Sequence, residues 1–197
     1  AIFKLSDFPK GLGAVIRRSM LKHLKMERSD GETSLRSGLA SVAARELSDE
    51  SLDAVLALLE DELQRPDRCW SIQELWNFEQ PKAAEALRKL LTHPDGWVRF
   101  MAASGLSRRR DLAAVPVLVE TSKNPTSEER TYALHRLSDY WDDPRAVAAI
   151  DQAIKDTDAR VRQSAGWAKQ SVERSRTNAA IRAKESDKTP DGAGRDK

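Results

Sequence analysis

Residues that could catalyse a reaction or hold a metal are few and scattered along the chain. There are three histidines, His23, His93 and His135, and one cysteine, Cys69. No two histidines are close in sequence, whereas a protein metal site needs several ligands brought together. Cys69 stands beside Arg68 at the start of a predicted helix, which favours a low thiol pKa, but no base is evident nearby. We therefore expect no metal site, no cofactor, no catalytic residue and no enzymatic activity.

Arginine and tryptophan side chains are instead the candidates for binding a partner. Arg108, Arg109 and Arg110 follow one another after a predicted helix, and three guanidinium groups can hold phosphate or an acidic partner. The alternative is that they neutralise the negative end of the helix dipole. The chain also has five tryptophans, a residue type enriched among the anchors of protein interfaces. They are Trp70, Trp76, Trp97, Trp141 and Trp167.

A repeat of 31 to 32 residues positions these side chains. Apolar residues recur three and four positions apart within each period, as in Val147, Ile150 and Ile154, which predicts helices. Each period is thus predicted to form two helices, and the last pair begins at Pro144, where a proline is tolerated. The columns that define the period are Arg68, Arg99, Arg130 and Arg162, and Leu56, Leu87, Leu118 and Ile150.

The repeat predicts three regions: an N-terminal cap over 1–47, repeats over 48–175 and a disordered tail over 176–197. The cap would consist of helices at 10–26 and 33–47, which cover an apolar end that would otherwise aggregate. The tail is polar and rich in helix-breaking residues near its end. The predicted helix pairs are 49–63 with 67–78, 81–92 with 96–108, 111–122 with 127–140, and 144–156 with 159–174.

One unit of the repeat carries a known pattern. It runs DPRAVAAI at 143–150, KDTDARVR at 155–162, and then Ala165. This unit resembles a HEAT repeat, and more narrowly the short HEAT-like repeat also found in phycobilin lyases (the PBS-lyase type). Asp95 and Val98-Arg99 repeat the pattern, whereas Thr126 and Glu129 replace the Asp and the Val before Arg130. The resemblance implies an all-α fold: a right-handed α-α superhelix, or HEAT-like solenoid, of about five antiparallel helix pairs.

We interpret the arginine column as structural. Asp95 precedes Arg99 by four residues, so the guanidinium can bond to that carboxylate and to carbonyl groups of the turn. A basic binding stripe is the alternative. The structural set is Arg68, Asp95, Arg99, Arg130, Asp158 and Arg162.

The candidate binding surface is the face of the second helices that would line the inner curve of the solenoid. It comprises positions one, five and eight after each repeated arginine, including Ser107 and Ser138, and mixes aromatic with small polar residues. Such a mixture suits protein recognition, although an ordinary solvated face is the alternative. The candidate partner-binding residues are Gln73, Trp76, Phe100, Arg108, Arg109, His135 and Trp167.

Composition and charge limit the classes of function. The 26 Ala and 21 Leu against 10 Val disfavour an all-β fold. No apolar stretch approaches the roughly 20 residues that span a bilayer. Residues 33–175 contain 20 basic and 23 acidic residues, so this part lacks the overall positive charge of a duplex binder. A single cysteine permits no internal disulfide, so we expect a cytoplasmic protein.

Together these features predict a non-catalytic, monomeric scaffold that binds a protein or peptide on its concave face, with nucleic acid disfavoured. The resemblance leaves two alternatives open. Alkylpurine DNA glycosylases of HEAT-like type hold a lesion with tryptophan, aspartate and basic residues, and this chain has Arg136 and Asp139 in a second helix. A bilin lyase is the other alternative. No His-Glu pair recurs across the repeats, as it would in the HEAT-like di-iron hydroxylases.

Overall fold

The fold is built from α-helices joined by short turns. The computed structural model describes residues 48–64, 69 and 71–186. The helices predicted at 10–26 and 33–47, and the residues Arg68 and Trp70, lie outside this part of the chain. The chain divides into two compact units, residues 1–105 and residues 106–197.

The first unit buries leucine and isoleucine between its helices. Helix α1 contacts α2, and the 3-10 turn that follows α2 contacts α3. Leu52, Ile72 and Leu87 are each at most 1% exposed, and burying a side chain of this size contributes about 1.5–3 kcal/mol. The helices are α1 (Asp49–Leu63), α2 (Ser71–Glu74, continued by the 3-10 turn Leu75–Asn77), α3 (Pro81–Leu90) and α4 (Gly96–Ser107).

The second unit is organised around α6. This helix contacts α5, α7 and α8, and α7 in turn contacts α5 and α8. Leu118, Leu134 and Tyr140 are fully buried in the core of the unit. The helices are α5 (Val115–Thr121, preceded by the 3-10 turn Leu112–Ala114), α6 (Ser127–Leu137), α7 (Pro144–Ala153) and α8 (Ala159–Ser186).

Local sequence determines where these helices begin. Asp143 precedes Pro144, and its Oδ1 accepts hydrogen bonds from the backbone amides of Arg145 at 2.8 Å and Ala146 at 3.4 Å. This satisfies two amides that have no partner inside the helix. Proline occupies the first turn, where its missing N–H costs nothing, in α7 and also in α3, which begins at Pro81.

The repeated arginines close the turns between helices. In Arg99, Arg130 and Arg162, Nη1 donates to the carbonyl oxygens six and five residues earlier, at 2.7 to 2.9 Å. The carboxylates of Asp95 and Asp158, the predicted partners of Arg99 and Arg162, accept instead from backbone amides of the following helix. The reason is that an aspartate before a helix can cap that helix, while the longer arginine reaches the turn carbonyls.

Helix α8 continues beyond the predicted end of the repeats. It runs to Ser186, so the expectation of a disordered tail is wrong for residues 176–186. Residues 177–186 are mostly good helix formers, and the next proline is Pro190. Arg176 also ties this part of α8 to the turn between α6 and α7, because its Nε donates to the carbonyl oxygen of Trp141 at 3.1 Å. Residues 187–197 lie outside the described part of the chain.

All regular secondary structure of the described residues is helical, which confirms the expected all-α repeat fold. The hand of the superhelix and the number of helix pairs stay predictions. No helix in the described ranges is long and apolar enough to cross a membrane.

Candidate functional site

In the first unit, most of the predicted binding residues take part in packing. Trp76 is half-buried beside Gly105, where an added Cβ would lie only 2.4 Å from Trp76 Cδ1. Phe100 is half-buried on α4, and Gln73 is exposed on α2. The structure therefore gives Trp76 a packing role, and its role in partner binding stays a prediction together with those of Phe100 and Gln73.

In the second unit, the predicted binding residues are accessible. Trp167 on α8 is 63% exposed, and His135 on α6 is exposed. Arg108 is exposed directly after α4, and its neighbour Arg109 is half-buried. These side chains stand on the three elements that form a polar recess in this unit.

That recess is a cleft of about 470 Å³. It brings together three guanidinium groups, four hydroxyls, one indole and one carboxyl group, contributed by the ends of α4 and α6 and by the middle of α8. We call it the arginine cleft. It is lined by Ser107, Arg108, Arg110, Arg136, Ser138, Asp139, Trp141, Ser171 and Ser175.

A tight turn after α4 positions two of the cleft's arginines. The amide of Arg110 donates to the Ser107 carbonyl at 2.9 Å, and the amide of Asp111 donates to the Leu106 carbonyl at 3.1 Å. These two bonds form a Schellman motif, which requires a left-handed residue and usually has glycine there. Arg110 takes that position with φ of 52°. The chain thereby reverses immediately after α4 and leaves Arg108 and Arg110 on the same cleft.

Arginines of two segments contact Trp141, one at its indole and one at its backbone carbonyl. The Arg110 guanidinium carbon lies 5.1 Å from the centroid of the Trp141 ring, a cation–π distance, and Arg110 also forms an ion pair with Asp142. From α8, Arg176 binds the Trp141 carbonyl. The fully buried Tyr140 adds a further tie, since its hydroxyl donates to the Asp111 carbonyl at 2.8 Å. The two turns that carry cleft residues are thus fixed to each other.

Asp139 is the one carboxyl group among the cleft-lining residues. Burial raises its pKa, against the opposing effect of the positive charges of Arg136, His135 and Arg110. A carboxyl group with a raised pKa gives up its negative charge more readily than an ordinary aspartate. The cleft therefore sets three guanidinium groups against one carboxyl group.

Several hydrogen-bond donors of the cleft are available to a ligand. The Arg108 guanidinium and the hydroxyls of Ser171 and Ser175 have no hydrogen-bond partner among the described residues. The hydroxyl of Ser138 already donates to the His135 carbonyl at 2.7 Å. Guanidinium and hydroxyl donors around one recess are the chemistry that binds carboxylate or phosphate.

The groups considered for catalysis have structural surroundings. Cys69 is buried, and burial, reinforced by the negative charge of Glu62, raises its thiol pKa, which is the opposite of an activated thiol. The Nδ1 of His93 accepts a hydrogen bond from the Asp95 amide at 3.1 Å. Across residues 48–64, 69 and 71–186, no three His, Cys, Asp or Glu side chains are grouped to hold a metal.

Sequence reasoning found only part of this site. Arg108 was among the predicted binding residues, and Ser107 and Ser138 lie on the predicted inner face, but Trp141, Ser171 and Ser175 were not assigned to a common site. The available signal was helical spacing: Trp167, Ser171 and Ser175 are four residues apart and so share one face of α8. His135 lies in the last turn of α6, four residues before Asp139. Two of the predicted binding residues, Trp167 and His135, are thus four residues from a residue that lines the cleft.

Comparisons with known proteins agree with a helical repeat. A family model described as HEAT repeats matches residues 52–138. No curated protein matches the chain. Among the solved structures that match is human deoxyhypusine hydroxylase in complex with glycerol, at 17% identity and a TM-score of 0.46, over 82% of this chain and 75% of that one.

This likeness corrects one expectation. The named neighbour is a hydroxylase, so the expectation that the chain is not an enzyme is wrong as an inference from its repeats. A helical repeat hosts enzymes as well as binding proteins. At this level of similarity no activity passes to this chain. Residues 52–138 are similar to HEAT repeats, which agrees with the all-α repeat fold.

Proposed function

We propose that this HEAT-repeat protein binds an acidic segment of a partner protein through its second unit. The observation that carries the proposal is the arginine cleft, where three guanidinium groups and two unpartnered serine hydroxyls face one recess of about 470 Å³. Charged hydrogen bonds to such donors are about twice as strong as neutral ones. An extended acidic segment supplies acceptors that can enter the recess.

Two exposed side chains next to the cleft extend the proposed contact. Trp167 stands one helical turn before Ser171, about 6 Å along α8, and His135 lies in the last turn of α6, four residues before Asp139. An exposed tryptophan beside a charged recess suits an interface anchor that excludes water from the polar contacts. A segment that places acidic groups in the cleft can therefore bury an apolar side chain against Trp167.

The charge of the chain favours a short acidic segment over a long polyanion. Residues 33–175 carry more acidic than basic residues, so the arginine cleft is a local positive site within a slightly negative body. Binding to duplex nucleic acid relies on an extended basic surface that releases many counterions. A cytoplasmic location and a monomeric state stay predictions that accompany this proposal.

The proposal is tested with fluorescein-labelled peptide pools of fixed length, one acidic, one neutral and one basic. We expect the acidic pool to bind best, and Arg108→Ala or Arg136→Ala to weaken binding about tenfold or more, since each removes a charged donor. Trp167→Ala should cost about 2 kcal/mol if the indole is an anchor. Arg182→Ala, an exposed arginine of α8 outside the cleft, is the matched control.

Equal binding of the three pools would overturn the proposal, and so would an equal loss in Arg182→Ala and Arg108→Ala. Circular dichroism of each variant separates loss of binding from loss of fold.

A second candidate is a nucleic-acid-acting enzyme of the HEAT-like alkylpurine glycosylase type. Its specific support is that Arg136, Asp139 and Trp141 line one cleft. Binding of a DNA duplex with a steep salt dependence would favour this candidate over the acidic-segment proposal.

A further inference from the structure

We infer that the line of Trp167, Ser171 and Ser175 on α8 recognises an extended segment in which one apolar residue and two acidic residues stand at alternate positions. The inference rests on the proposed function and narrows the acidic segment to one spacing. It is carried by two serine hydroxyls that make no hydrogen bond among the described residues, by the rise of α8 along this line, and by the Arg108 guanidinium on the same cleft.

The hydroxyls of Ser171 and Ser175 differ from other hydroxyls in helices of the second unit. A helical serine or threonine commonly donates to a carbonyl oxygen one turn earlier. Thr121 donates to the carbonyl oxygen four residues before it at 2.8 Å, and Thr177 does so at 2.9 Å. Ser171 and Ser175 are half-buried in the lining of the cleft and form no such bond to any described residue. Each hydroxyl can therefore donate to a ligand and accept from it.

The three residues follow one another at intervals of four along α8. Four residues of an α-helix rise about 6 Å, and two residues of an extended chain rise about 6.6 Å. Alternate residues of an extended segment therefore keep pace with Trp167, Ser171 and Ser175. Each interval also turns the line by about 40° around the helix. The line leads from the 63% exposed Trp167 to the two half-buried serines in the cleft.

The short side chains of Ser171 and Ser175 favour an extended segment over a helical one. The backbone N–H and C=O groups of a helix bond to one another, whereas those of an extended chain are unpaired. In an extended chain these groups point to the same side at every second residue. An extended segment that lies with one edge against α8 can thus bond to both hydroxyls, while its alternate side chains point into the cleft.

The charges place the acidic positions beside the serines. Arg108 lines the same cleft, is exposed and has no hydrogen bond or ion pair within the described part of the chain, so its guanidinium is open to a carboxylate. Trp167 precedes Ser171 by one turn and offers an exposed indole to an apolar side chain. The apolar position of the segment is therefore the one beside Trp167, and the acidic positions are those beside Ser171 and Ser175.

The test uses fluorescein-labelled peptides of one length and composition, each with one leucine and two glutamates among glycine and serine residues. The glutamates stand two and four, one and two, or four and eight positions from the leucine, and the last set has helical spacing. Each peptide is made in both orders, because an extended segment keeps the same spacing in either direction. We expect the alternate-position peptide, in one of its orders, to bind at least about tenfold more tightly than the other two spacings.

A proline between the two glutamates separates an extended occupant from a helical one. Proline breaks a helix interior but is compatible with an extended chain, and the N–H that it lacks lies on the edge away from α8. The alternate-position peptide with this proline should therefore bind within about twofold of the parent peptide.

Alanine variants assign the contact to α8. Ser171→Ala and Ser175→Ala should each weaken binding of the alternate-position peptide about three- to tenfold, and alanine, the better helix former, preserves the fold. Trp167→Ala should weaken binding of the leucine peptide about tenfold or more, but leave a peptide with alanine in place of leucine unchanged. Thr177→Ala is the matched control, because its exposed hydroxyl already bonds within α8 and lies about 200° around the helix from Ser175.

The other outcomes separate this inference from the proposed function. If all three spacings bind equally, and more tightly than a peptide with glutamine in place of glutamate, the inference is overturned and the proposed function stands. If no acidic peptide binds more tightly than the glutamine peptide, both fail. Tightest binding at another spacing, or loss of binding with the proline, overturns the inference. So does an equal loss in Thr177→Ala and Ser171→Ala.

Discussion

At the residue scale, two glycines in the second helices of the repeat differ in the space around them for a side chain. At Gly105 on α4, an added Cβ would lie 2.4 Å from Trp76 Cδ1 and 2.9 Å from Leu87 Cδ1. At Gly166 on α8, an added Cβ would meet nothing within 4 Å. Only the first glycine is required by packing, because it lets the Trp76 indole approach the backbone of α4.

We therefore predict opposite effects of alanine at these positions. Gly105→Ala should lower the free energy of unfolding by about 1–3 kcal/mol, since the core around Trp76 must shift. Gly166→Ala should raise it by about 0.5–1 kcal/mol, because alanine is the better helix former. Urea denaturation followed by circular dichroism measures both changes. A loss of similar size in the two variants would contradict the packing described for Trp76.

The residue scale also shows why the candidate site was only partly predictable. Arg108 was found because three consecutive arginines are visible in the sequence. Trp141 and Ser175 come from other repeats and reach the cleft only through turns such as the one at Arg110. That turn has arginine where glycine is usual, so no local signal marks it.

At the element scale, the helix starts were predictable and the ends were less so. Pro81 and Pro144 begin their helices as predicted, because proline at the first turn is a local signal. The end of α8 was predicted too early, at residue 174. The sequence after residue 175 lacks the repeat pattern but keeps helix-forming residues, so the helix continues to Ser186. The 3-10 turns Leu75–Asn77 and Leu112–Ala114 were predicted as regular helix, since 3-10 and α geometry share almost the same apolar spacing.

Helix α7 provides an element-scale prediction through its cap, Asp143. The carboxylate accepts two amide bonds and pairs with Arg145, and the hydrogen bonds from Arg145 hold its pKa below the usual range. Asp143→Ala should destabilise the protein by about 1 kcal/mol, and Asp143→Asn by less, because asparagine still caps.

The pH dependence of this cap follows from the direction of the pKa shift. A lowered pKa in the folded state stabilises the protein above the unfolded value of about 3.9, and this contribution is lost as the pH falls below it. The difference in stability between the wild type and Asp143→Asn should therefore shrink as the pH is lowered from about 5 to about 2. Urea midpoints across that range check it, and a constant difference would contradict the role of the charge.

At the scale of the whole molecule, stability in a repeat protein is the sum of its units and of the interfaces between neighbours. In the second unit one such interface has a polar link. Arg130 clamps its own turn and also reaches Asp156 in the next turn, with Nη2 3.0 Å from Oδ1 and Nε 3.0 Å from Oδ2. Asp156 additionally accepts from the Asp158 amide at 2.8 Å. The arginine column therefore also makes a contact between repeats, the one from Arg130 to Asp156. These two residues are 26 positions apart in the sequence, so spacing alone did not predict their contact.

Two ion pairs of the same unit allow this tie to be measured. The side chains of Arg130 and Asp156 are only 13% and 16% exposed, whereas those of Lys169 and Asp151 are 46% and 49% exposed. Asp156→Ala leaves a largely buried guanidinium without its carboxylate and should cost about 2 kcal/mol. Asp151→Ala removes an exposed pair and should cost at most about 0.5 kcal/mol. Chemical denaturation of both variants measures the loss in the free energy of unfolding. Equal losses would mean that the Arg130–Asp156 contact does not stabilise the interface between repeats. A larger loss in Asp156→Ala that does not change with added salt would show that a partly buried ion pair joins the repeats.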